Sequence, residues 1–132
     1  MQYAPTLSRA ELIDLATQRY FARVDAKDME ATLACFHDEA LFCIQTAFTR
    51  HSGKDEIRRM FNDFFAGYET IVHKDFTCTV DEKHGRIAAS FEAVLTGHDG
   101  SVTRLHNTNF WRVRDGKFQE VYVYMSGANP LV

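Results

Sequence analysis

The sequence predicts an α+β domain in which a curved antiparallel sheet wraps around three amphipathic helices. The apolar period changes from helical to two at Tyr68. Breaks at Lys83-His84-Gly85, Asp99-Gly100 and Asp115-Gly116 then divide the second half into strands joined tightly enough to form a meander. Such a sheet must cover one face, and the first half supplies the helices to cover it. At 132 residues the chain is expected to be one domain, residues 1–132, able to bury an ordinary core.

The elements follow in order. Ser8 and Glu11 have the spacing of a capping box, and Leu12, Ala16, Tyr20 and Val24 recur at helical spacing behind it, widened by Ile13 and Leu15. Asp28 is the expected N-cap of a short second helix with Met29, Leu33 and Phe36 on one face. A strand is expected over roughly 40–47. Ser52-Gly53-Lys54-Asp55 opens a third helix whose Ile57, Met60, Phe61, Phe64 and Phe65 form a continuous apolar stripe, with Gly67 as its stop. Beyond Tyr68, Phe76, Cys78 and Val80 alternate with polar residues, as do Ile87, Ala89, Phe91, Ala93 and Leu95 with theirs.

Composition excludes several function classes. A net charge of -3 without a basic stripe gives no electrostatic basis for nucleic-acid binding. No apolar run approaches the roughly 20 residues of a membrane span. Met1 to Ser8 has neither a basic start nor an apolar run, so no secretory signal and a cytoplasmic location are expected. Cys35, Cys43 and Cys78 are odd in number and lie in apolar settings, which reads as reduced, buried thiols. The six histidines have no metal-ligand spacing, no serine sits in a nucleophile motif, and no glycine-rich phosphate loop or other cofactor motif occurs. Eleven phenylalanines and five tyrosines imply large flat walls, suited to tight packing or to an apolar ligand.

Four stretches in this order resemble the nuclear transport factor 2-like superfamily, the cone-shaped fold of ketosteroid isomerases and SnoaL-like polyketide cyclases. They are Gln18-Arg19-Tyr20, Phe36-His37-Asp38-Glu39-Ala40, Ser52-Gly53 leading into Ile57, and Phe110-Trp111-Arg112 before Asp115-Gly116-Lys117. The resemblance covers nearly the whole chain. It implies a cone interior and, by analogy with the ketosteroid isomerases, an oxyanion-binding tyrosine at Tyr20 with a second donor at Asn109. The proton-shuttling aspartate of those enzymes falls on Ile44, which accepts no proton, so ketosteroid isomerisation by that route is excluded. An Asn amide always offers donors, so Tyr20 and Asn109 remain candidates to polarise a carbonyl.

Strand parity places Asn107, Asn109 and Trp111 on the inward face and both flanking arginines and His106 outward. A three-residue Arg114-Asp115-Gly116 loop would set Val121, Val123 and Met125 beside them. A two-residue turn would set Tyr122 and Tyr124 there instead; the first is favoured because it gathers the aliphatic residues inside. Phe42, Ile44, Met60, Phe64, Asn107, Trp111, Val121 and Met125 are therefore the expected lining. His73 begins a strand near the expected mouth, but Asp75, Thr77 and Thr79 share its parity and point it outward.

The expected ligand is a small apolar molecule with a carbonyl or hydroxyl group, bound or converted by isomerisation, dehydration or cyclisation, without metal or cofactor. Phe110, Phe118, Tyr122, Tyr124 and His106 are left on the outer face, where they suggest a protein–protein contact. Members of the superfamily commonly dimerise there, which implies a homodimer. The alternative is a non-catalytic subunit resembling the small subunits of ring-hydroxylating dioxygenases.

Overall fold

A computed structural model describes residues 5–132 of the chain. The first four residues of the Met1–Ser8 stretch therefore lie outside the described residues. Helix α1 (residues 9–25) runs as α-helix over Arg9–Asp14, widens to π geometry over Leu15–Phe21 and returns to α-helix over Ala22–Asp25. Its capping box is complete, with Glu11 N–H donating to Ser8 Oγ at 3.2 Å and Ser8 N–H to Glu11 Oε1 at 3.0 Å. Helix α2 (Met29–Leu33) starts at Asp28, whose Oδ1 accepts from Ala31 N–H at 3.1 Å. Helix α3 (Lys54–Gly67) starts behind Gly53, whose φ of 85° suits glycine, and buries Ile57, Met60, Phe61, Phe64 and Phe65. Each buried Phe contributes about 1.5–3 kcal/mol relative to exposure.

Six strands form one mixed, curved and unclosed sheet in the order β2-β1-β6-β5-β4-β3. They are β1 (Phe36–Ile44), β2 (Thr49–Ser52), β3 (Thr70–Asp81), β4 (Arg86–Thr96), β5 (Val102–Arg114) and β6 (Lys117–Tyr124). The last four form the expected antiparallel meander. The first strand differs from expectation. It begins at Phe36, ends at Ile44, and runs parallel to β6. A left-handed residue, Phe48, turns the chain back into the short β2 before α3.

Two bulges set which side chains point inward. In β3, Lys74 pairs with Glu92 and Thr77 with Ser90, so Asp75 and Phe76 together face the single residue Phe91. Asp75 takes φ 59° there, the mark of an extra strand residue. In β6, Arg112 pairs with Glu120 but Val113 with Phe118, leaving Gln119 as the extra residue. The β5–β6 turn has two residues, with Asp115 and Gly116 at φ 51° and 77°. The expected Val121 and Val123 face is nonetheless obtained, because the bulge reverses parity after the turn. The two-residue turn itself sets Phe118 opposite the inward Val113 and buries it completely, against the outer-face position expected from a three-residue loop.

The core fills the space between the inner sheet face and the helices. Tyr20 lies among Phe36, Phe118, Trp111 and Phe61 at ring-centroid distances of 5.3–6.4 Å, with interplanar angles of 70–88°. The three cysteines are free thiols, Cys35 and Cys43 buried and Cys78 partly so. No helix among the described residues is long and apolar enough to cross a membrane.

Candidate functional site

The inner face encloses a cavity of about 30 Å³. Its walls are mainly aromatic and aliphatic, including Phe21, Phe42, Phe61, Phe64, Phe91, Leu105, Val123 and Met125. Four polar side chains interrupt them: Tyr20 from α1, His73 from β3, and Asn107 and Asn109 from β5. Pro130 and Leu131, beyond the last strand, complete the enclosure.

Each polar group is set by local structure. In an α-helix, adjacent residues point about 100° apart, but the π stretch widens the turn and keeps both Tyr20 and Phe21 inward. Tyr20 is 2% exposed. Burial raises its phenol pKa well above the ordinary value, and the nearby Cys35 and Asp25 push in the same direction. It is therefore a hydrogen-bond donor at any physiological pH. Asn109 is opposite Val123 across the β5–β6 ladder and is 3% exposed; its Oδ1 is buried without a hydrogen-bond partner. Asn107 Oδ1 accepts from Ser126 N–H at 3.4 Å.

His73 is held twice by one carboxylate. Its Nδ1 lies 2.6 Å from Asp25 Oδ1, and its backbone N–H donates to Asp25 Oδ2 at 2.8 Å. A carboxylate only accepts, so Nδ1 carries the proton and Nε2 the free lone pair in the neutral ring. The ring stacks on Phe21 at 4.2 Å and meets the edge of Phe91 at 5.5 Å. Its side chain is 8% exposed and that of Asp25 is 24% exposed. An oriented imidazole that lines the same cavity as a phenol and an unpartnered amide oxygen is an arrangement that can move a proton next to a polarised carbonyl.

Of the side chains expected to line the interior, Tyr20, Phe42, Phe64, Asn107, Asn109 and Met125 do so. Ile44, Met60, Trp111 and Val121 do not line the cavity; they are packed in the solid core beneath it. Trp111 is stacked on Phe118 at 5.6 Å and so closes that end of the interior. Ile44 is fully buried at the end of β1 and brings no titratable group to the cavity.

Sequence reasoning missed Phe21, Asp25 and His73. The parity that pointed His73 outward holds only for an unbroken strand, and the bulge at Asp75-Phe76 breaks it. Ile71 and Phe76 are both apolar at opposite parity, which is the signal that could have disclosed the bulge. Among the described residues, no group of three or more His, Cys, Asp or Glu side chains is placed to hold a metal ion.

Comparisons with known proteins agree with this architecture. A candidate polyketide cyclase from Xanthomonas campestris pv. campestris superposes with a TM-score of 0.78 at 21% identity, covering 88% of this chain and 90% of that one. A candidate isomerase from Bacillus subtilis gives 0.79 at 17% identity, with 91% and 90% covered. A candidate ketosteroid isomerase from Kribbella flavida DSM 17836 gives 0.70 at 18%, with 91% and 81% covered. At such identities the likeness establishes the fold. No curated protein sequence matches the chain. The SnoaL-like domain family matches residues 17–121, a span running from the π stretch of α1 through both bulged strands. The chain therefore belongs to the SnoaL-like domain family, within the nuclear transport factor 2-like superfamily.

Proposed function

We propose that the protein acts on a small, largely apolar carbonyl compound, with His73 as proton acceptor, Asp25 as its positioning residue and Tyr20 as oxyanion donor. The observation that carries this reading is the His73–Asp25 pair at the edge of a cavity whose Asn109 oxygen lacks a partner. His73 Nε2 takes a proton from the carbon beside the carbonyl, and Tyr20 donates to the oxygen on which charge develops. Asn109 Oδ1, an acceptor, suits a substrate hydroxyl. Where that hydroxyl is β to the carbonyl, its C–O bond breaks as the C=C bond forms, and the proton held by His73 leaves with it as water. Where the substrate instead carries a C=C bond between its β- and γ-carbons, return of the proton to the γ-carbon moves that bond into conjugation with the carbonyl and gives isomerisation.

The test is proton–deuterium exchange at the α-carbon of small cyclic ketones and β-hydroxy ketones, followed by NMR. The wild-type protein is expected to accelerate exchange, and His73→Gln to lose on the order of 10² to 10⁴ of that acceleration. Equal exchange by the two proteins would sink the assignment.

We propose in addition that the outer sheet face forms a homodimer. Phe110 and Tyr124 are about half exposed there, edge-on at 5.8 Å. Arg112–Glu120 and Arg104–Glu92 ion pairs lie on the same face. Phe110→Asp with Tyr124→Asp should give a monomer in sedimentation. A chain that is polydisperse alone, and discrete only with a larger partner, favours the non-catalytic subunit reading instead.

A further inference from the structure

We propose that residues 126–132 form a hinged cover over the cavity, and that a ligand enters by displacing Pro130 and Leu131 from its wall; this rests on the reading of the cavity as the reaction site. A space of about 30 Å³ has room for no more than a few water molecules. A small-molecule site needs about 300 Å³ or more, so some wall must move before any carbonyl compound fits.

The walls differ in how they are held. The sheet residues are locked in the β4–β5 and β5–β6 ladders, and the helix residues in an aromatic cluster around Tyr20. Segment 126–132 has no regular structure, and among the described residues no backbone–backbone hydrogen bond ties it to the rest of the protein. Side chains hold it instead. His51 Nε2 donates to the Leu131 carbonyl at 3.0 Å, and Arg59 Nη2 to the Val132 carbonyl at 3.3 Å. Asn129 Nδ2 reaches Thr49 Oγ1 at 3.4 Å, while Leu131 N–H bonds only to Asn129 Oδ1 within the segment itself.

The latch is specific about the state of His51. Donation from Nε2 leaves Nδ1 as acceptor, and Arg59 Nη2 donates to it at 3.3 Å. One neutral, buried imidazole thus joins α3 to the segment. At the near end, Ser126 N–H bonds to Asn107 Oδ1, so lifting the segment also frees a cavity amide. Gly127 packs tightly on the sheet beside this point, because a Cβ there would lie 2.7 Å from Leu105 Cδ2. The cover therefore controls entry, and its departure adds the Leu131 volume and the Asn107 oxygen to the site.

Two measurements on the intact protein test this. In native-state hydrogen exchange, the amides of Ser126 and Leu131 are expected to exchange about 100-fold or more faster than those of Val121 and Val123. Equal protection would mean that the segment does not open separately, and would overturn the proposal. In stopped-flow binding of the apolar dye anilinonaphthalene sulfonate, His51→Ala and Asn129→Ala are each expected to raise the association rate about tenfold. An unchanged rate, or no binding by any of the three proteins, would also overturn it. His73→Gln separates the two readings. A cover that opens while this variant keeps full α-carbon exchange refutes the chemistry alone, whereas a closed cover with His73-dependent exchange refutes the cover alone.

Discussion

His73 donates to both oxygens of Asp25, from ring Nδ1 at 2.6 Å and from its own backbone N–H at 2.8 Å. A single carboxylate thereby fixes the strand position, the ring plane and the tautomer of one residue. Asp25→Asn keeps the volume but removes the obligatory acceptor. Nitrogen NMR of the imidazole should then show the Nε2–H tautomer, and α-carbon exchange should fall on the order of 10²-fold or more. A tautomer unchanged by the substitution would show that Asp25 does not set it.

Tyr20→Phe removes one donor without altering the aromatic packing around the ring. Turnover should fall on the order of 10² to 10³. Burial raises the phenol pKa, and Cys35 and Asp25 add to the shift, so the difference between wild type and variant should stay constant across neutral and alkaline pH. A gap that closes as pH approaches the ordinary tyrosine value would show that the phenol ionises and that this description of Tyr20 fails.

Deletion of Asp75 removes the extra residue of the β3 bulge. One strand cannot then keep both Ile71 with His73 and Phe76 with Cys78 on its inner face. The expected outcome is loss of the His73–Asp25 hydrogen bond, read from the imidazole proton resonance, with a lower denaturant midpoint. Retention of that resonance would mean that the bulge is not what turns His73 inward.

Phe48 is 97% exposed at φ 51°, a conformation that disfavours a bulky side chain. Phe48→Gly should raise unfolding stability by up to about 1 kcal/mol in urea titration. A loss of stability would reveal a contact that the Phe48 ring makes in solution.

His98 donates from both ring nitrogens, Nε2 to the Ala66 carbonyl at 2.8 Å and Nδ1 to Glu69 Oε2 at 3.0 Å. The bond to Ala66, then that to Glu69, raises its pKa above the ordinary 6.5. A raised folded value stabilises fully below the unfolded value and is lost as pH rises through the raised one. His98→Asn should therefore lower the thermal midpoint slightly at about pH 5.5 and leave it unchanged at about pH 9. The same deficit at both values would assign the effect to packing.

The fold was legible in the sequence because it rests on periodicity, and periodicity survives over most of each element. The Ser8–Glu11 box, the α3 stripe and the Asp-Gly turns each appear where their chemistry places them. Tyr20, Asn107 and Asn109 were found inside by counting alternate or helical positions. What escaped depends on single inserted residues. Leu15–Phe21 adds Phe21 to the wall, Asp75 brings in His73, and Gln119 restores the Val121 face after a two-residue turn has put Phe118 in the core. The parallel β1–β6 pairing escaped for another reason, since it joins segments far apart in the chain and has no local sequence mark.

The unpartnered oxygen of Asn109 has a consequence for how this protein evolves. A buried acceptor left without a bond costs about 1–3 kcal/mol, so folding alone would favour an aliphatic residue of similar volume at that position. Asn109→Leu should yield a more heat-resistant protein with an impaired site. An amide that persists at position 109 in a lineage is maintained against the pull of stability, and its disappearance would record the moment a descendant kept the cone and abandoned its ligand.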